Sequence, residues 1–148
     1  MDRKLSGARR GRGARGQALT EFALVVPLLL LMVVGVMEFG RAWGQTQVIT
    51  DAARQGARIA AILSGSLCSD TDSVTRVVNR ALSAGNINPN SADVSLPGGC
   101  GGGTNTPVTV LVEVPFDFGV FRPVMQLAAQ SFNDGTITLR SRAVMRKE

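Results

Sequence analysis

Gly16-Gln17-Ala18-Leu19-Thr20-Glu21-Phe22 runs without a break into the apolar segment Ala23 to Met37, and the rest of the chain is arranged about that junction. Before it stand Arg3, Lys4, Arg9, Arg10, Arg12 and Arg15 against the single acid Asp2. After it, 11 of the 16 residues from Phe22 to Met37 are Phe, Leu or Val. On an insertion scale these contribute roughly −3 to −7 kcal/mol, enough to outweigh Pro27 and Gly35, so the segment is expected to enter a membrane. As a helix, Glu21 to Glu38 spans about 25 Å, a little under a hydrocarbon core of about 30 Å. That places Glu21 at the basic-side interface and Glu38 at the far one. The cations set the orientation, N-terminus in the cytoplasm and C-terminus outside.

The formal charge of +5 belongs to residues 1–16, which leaves ten basic and ten acidic residues in the remainder. A nucleic-acid binder is not expected, because the basic segment has no interleaved aromatics and no binding motif beside it. The chain has no histidine, which excludes Ser-His and Cys-His catalysis and His-ligated metal sites. No carboxylate pair, nucleophile with base or metal cluster emerges. Glu113 and Asp117 flank Pro115, but nothing places an acid, a base or a pocket with them. The expectation is a protein that is not an enzyme, with no cofactor and no small-molecule substrate.

Beyond Glu38 the helix is expected to continue to about Leu63, since Ile49, Ala52, Gly56, Ile59, Ala60 and Leu63 recur at helical spacing. Ala52, Gly56 and Ala60 form a stripe of small residues that permits close helix packing, on the chain's own domain or on a second subunit. Asp51 and Arg54 are spaced as an i,i+3 pair. Pro27 lacks an N–H and crowds the carbonyl of Ala23, so a bend is expected near it.

Cys68 and Cys100 are the two cysteines, both on the expected outer side, where disulfides persist. Their pairing would close a loop worth roughly 3 to 4 kcal/mol if unstrained; two thiols without CxxC spacing are a poor metal or redox motif. Asp70 or Thr71 is placed to cap a helix with Val74, Val77, Val78, Ala81 and Leu82 on one face, ending near Gly85. Asp70-x-Asp72 is too incomplete for a calcium loop. Asn86 to Asn90 is turn chemistry, Ala92 to Leu96 a short strand, and Pro97 to Gly103 a flexible loop with no following helix to cradle phosphate.

Val108 to Val114, between Pro107 and Pro115, is the clearest strand. Thr136 to Met145 is the second, with Ile137, Leu139, Ser141, Ala143 and Met145 on one face, and the two are expected to pair antiparallel. The connection Phe116 to Gly135 is apolar for a loop. Phe121, Val124, Met125, Ala128 and Phe132 have helical spacing, and the segment either covers the sheet or, with Phe116, Phe118 and Phe121, meets lipid or a partner subunit.

The fold class is therefore α+β: a long N-terminal helix, then a small extracytoplasmic domain with one or two short helices and a small antiparallel sheet. The boundaries are a basic leader 1–16, a long helix 17–63 with its membrane part about 20–38, and a domain 64–148.

Gly16 to Leu30, then Glu38-Phe39-Gly40-Arg41-Ala42, then Asp51 to Arg58 together resemble the TadE-like family of pseudopilins. Gly16 with Glu21 five residues on has the form of a type IV prepilin leader. The resemblance implies a pilin-like architecture, processing between Gly16 and Gln17 by a prepilin peptidase, and Glu21 as fifth residue of the mature chain. Glu21, with Phe22 beside it, would serve subunit assembly by pairing with a neighbour's N-terminal ammonium. Independently, a carboxylate entering hydrocarbon costs about 2.5 to 3.5 kcal/mol at the bilayer centre, less toward the interface, so its place beside so apolar a run invites a partner. The implied partners are the membrane, the peptidase, other pilin or pseudopilin subunits, an assembly ATPase and an inner-membrane platform. The implied function is that of a minor pilin in a Tad-type pilus or secretion apparatus, with adhesion suggested only by the aromatic loop. The implied location is a single pass in the bacterial inner membrane, or an extracellular filament. Two alternatives stand beside it: a permanently membrane-tethered binding domain, and a secreted protein cut by ordinary signal peptidase near Ala42-Trp43-Gly44.

Overall fold

The computed structural model describes residues 12–63, 71–99, 103–119 and 136–147. Among them are two α-helices, α1 (Arg12–Ile62) and α2 (Thr71–Ala84), and three strands, β1 (Asp93–Ser95), β2 (Pro107–Asp117) and β3 (Thr136–Arg146). This is the α+β, pilin-like layout expected: a long apolar helix, a short one and a small antiparallel sheet. The chain divides into two compact units, Met1–Met37 and Glu38–Glu148.

In the first unit α1 begins at Arg12, five positions before the expected start at Gln17, and continues through Pro27. Ala14, Ala18 and Leu19 are strong helix formers, and the Thr20 hydroxyl stays within the helix by donating to the Gln17 carbonyl at 2.7 Å. The large apolar side chains of this unit point outward: Phe22, Leu24, Val25, Leu28 to Val33, Val36 and Met37 are all exposed.

The second unit is built the opposite way. Strand order is β1-β2-β3, antiparallel throughout. The β2–β3 register sets Val110 opposite Ala143, Val112 opposite Ser141 and Val114 opposite Leu139. One face of β2, from Val108 through Val110, Val112 and Val114 to Phe116, is buried. Against that face pack Ile49, Ala52, Ala53, Ala57 and Ala60 of α1 and Val74, Val78 and Leu82 of α2. Each valine or leucine so buried contributes about 1.5 to 3 kcal/mol. The small α1 residues let the three elements approach. A Cβ added at Gly56 would lie 2.7 Å from Val78 Cγ2 and 3.4 Å from Val110 Cγ1.

Two details differ from expectation. β2 runs through Pro115 to Asp117 instead of stopping at Val114, which takes Phe116 out of the connection and buries it to 1% exposure. Proline is tolerated there because β1 reaches only to the register of Glu113, so beyond it β2 has no strand on that side among the described residues. The end of α2 is held by Asn86, at φ 59°, in the left-handed region. Its N–H donates to Ser83 O at 3.0 Å and that of Ile87 to Leu82 O at 2.9 Å, the bonding of a Schellman cap. Gly85 is required for a different reason: a Cβ there would collide with Val48.

Candidate functional site

The expected processing and assembly residues lie on an open helix surface. Gly16, Gln17, Glu21 and Phe22 are all exposed, and a Cβ at Gly16 would meet nothing within 4 Å. The Gln17 side-chain amide donates to Glu21 Oε1 at 3.1 Å, one turn on. α1 is long and apolar enough to cross a membrane, and only 6% of its most apolar window is buried. That is the reverse of a core helix in a soluble domain.

Glu38 and Arg41 form a polar arrangement at the start of the second unit. The Glu38 carboxylate is 4% exposed and lies 3.0 Å from Arg41 Nη2. The same guanidinium sits 5.0 Å from the centroid of the Phe116 ring and donates to the Asp117 carbonyl at 2.5 Å. Phe118 meets Phe116 edge-on, centroids 5.0 Å apart. Arg41 thus ties α1 to the end of β2 through charge, ring face and backbone together. Glu38, expected near the far membrane interface, is buried against its own domain. The i,i+3 spacing of Glu38 and Arg41 was a signal for the ion pair; the contact with Phe116 depends on a partner 75 residues away and had none.

Ala52, Gly56 and Ala60 lie in the core just described. Asp51 and Arg54 pair at 3.6 Å with both side chains 68% exposed. Glu113 pairs across the sheet with Arg140 at 2.7 Å. Cys68 and Cys100 lie outside the described residues, as does the connection from 120 to 135 with Phe121. Among the described residues no group of three or more His, Cys, Asp or Glu is placed to hold a metal.

No curated protein and no solved structure matches the chain. A family model described as TadE-like protein matches residues 16–58, from the glycine before Gln17 through Gly56 of the small-residue stripe. Over that stretch the chain is similar to the TadE-like family.

Proposed function

We propose that this chain is a minor pilin or pseudopilin of a Tad-type pilus or secretion apparatus, cut between Gly16 and Gln17 by a prepilin peptidase on the cytoplasmic side. The observation that carries the reading is that the family match begins at Gly16 and takes in Glu21 and the whole apolar run. In this reading residues 1–16 hold the N-terminus in the cytoplasm by their charge. After cleavage the apolar surface of α1 anchors the subunit in the inner membrane until it packs against other pilin helices on the assembly platform. Glu21 is exposed and one turn from the new N-terminus, so it can exchange its bond to Gln17 for a neighbour's ammonium. Any part in adhesion follows from membership of the filament.

The test is the N-terminus of the protein extracted from its native membrane, by intact mass and terminal peptide mapping, allowing for cyclised glutamine. A start at Gln17 that Gly16→Leu abolishes is the expected result. Because nothing lies within 4 Å of a Cβ at Gly16, loss of cleavage in that variant reports recognition by the peptidase and not damage to the helix. A start at Met1 or Asp2 leaves a tethered domain, and one near Gln45 makes the protein secreted; either overturns the proposal.

A further inference from the structure

Glu38 is buried against its own domain, so the outer edge of the lipid-facing surface must be set by other residues of α1. Phe39 and Trp43, one turn apart, are 69% and 60% exposed, and their rings stack with centroids 6.4 Å apart. Along the same row of the helix the next positions are Gln47 and Asp51, both exposed and polar. Asp51 is tied to Arg54. The surface therefore changes from aromatic to polar just past Trp43.

We infer that Phe39 and Trp43 are an interfacial anchor that rests on lipid, and that on this face the span ends at Trp43. The inference depends on the membrane-span reading above. Length supports it: the 21 helical steps from Phe22 to Trp43 amount to about 32 Å, against about 25 Å for Glu21 to Glu38, and a hydrocarbon core is about 30 Å thick. Chemistry supports it as well. An indole has an apolar body and one N–H donor, which suits the boundary between acyl chains and headgroups. The stacked pair follows directly on the exposed apolar run, so lipid is the occupant already in contact with the preceding turns.

The chain has one tryptophan and no tyrosine, so indole fluorescence of the full chain reports Trp43 alone. The protein is reconstituted in phosphatidylcholine–phosphatidylglycerol vesicles whose acyl chains carry bromine either near the carbonyls or near the terminal methyl. Flotation with the vesicles checks the span separately. The expected result is emission shifted to the blue of a water-exposed indole and quenched about twofold more strongly by the shallow bromines than by the deep ones. Moving the probe one turn, with Phe39→Trp on a Trp43→Phe background, is expected to shift quenching toward the deep label. Flotation with a water-like, unquenched Trp43 overturns the anchor and leaves the span standing. A blue-shifted Trp43 that neither bromine quenches places the face against protein and overturns it too. Failure to float removes the span and the anchor together.

Discussion

Two stretches of α1 use the same backbone in opposite ways. From Phe22 to Met37 most side chains are large and point outward; from Ile49 to Ala60 the inward face is built mainly of small residues, with Ala52, Ala53, Ala57 and Ala60 fully buried. Hydrophobicity does not tell the apolar faces of the two stretches apart, because alanine and leucine are both apolar. Size does. Bulky residues all round a helix leave no groove for a close neighbour and suit lipid, whereas alanine and glycine every four residues bring a second helix and a strand within van der Waals contact.

The largest effect that sharpens the contrast is expected at the point between the two stretches. Arg41→Ala removes the guanidinium 3.0 Å from the buried Glu38 carboxylate together with its contacts to Phe116 and the Asp117 carbonyl. A cost of about 2 to 4 kcal/mol to the second unit is expected. Arg54→Ala, which breaks a pair exposed at both ends, is expected to cost less than about 1 kcal/mol. Urea unfolding of the two variants in the same detergent measures both. Equal costs would mean that Glu38 and Arg41 behave as a surface pair.

Gly56→Ala comes next. Its Cβ would stand 2.7 Å from Val78 Cγ2, and a β-branched side chain has little freedom to swing away. Overpacking costs typically 1 to 3 kcal/mol while the gain in helix propensity returns about 1, so a net loss of up to about 2 kcal/mol is expected. The cause is checked by a second change. On a Val78→Ala background the obstructing methyls are absent, so the alanine at 56 is expected to cost less than it does alone. Strict additivity would show that the close contact is not what makes glycine necessary.

The same argument separates what was legible in the sequence from what was not. The apolar run, the alternation of β3 and the helical spacing of Val74, Val78 and Leu82 are periodic signals within one element, and each corresponds to a buried or exposed face in the structure. The family-matched stretch, including Gly16, Glu21, Ala52 and Gly56, was likewise readable because its spacing is local. The burial of Glu38 and Phe116 was not. Both depend on where the end of β2 meets α1, a contact between residues far apart in the chain. Pro115 hid half of it, because a proline ends a strand unless the neighbouring strand has already stopped, and the length of β1 is a property of pairing.

The smallest expected effect has the opposite sign, and for that reason tests the comparison most directly. Gly44 stands in the same helix as Gly56, twelve residues before it, but a Cβ at Gly44 would meet nothing within 4 Å. With no neighbour to displace, Gly44→Ala should gain only the helix preference of alanine, about 0.5 to 1 kcal/mol of stability. Unfolding of the isolated subunit in detergent reads that gain. Filament assembly reads something else: if Gly44 is open in the subunit because another helix packs there in the filament, the same variant will be more stable alone and poorer in assembly. Stabilisation with assembly unimpaired would leave Gly44 a solvent-side residue and confine the small-residue packing of α1 to the core around Gly56. A loss of stability would mean that open space at a glycine does not predict tolerance in this helix, and the contrast with Gly56 would fail.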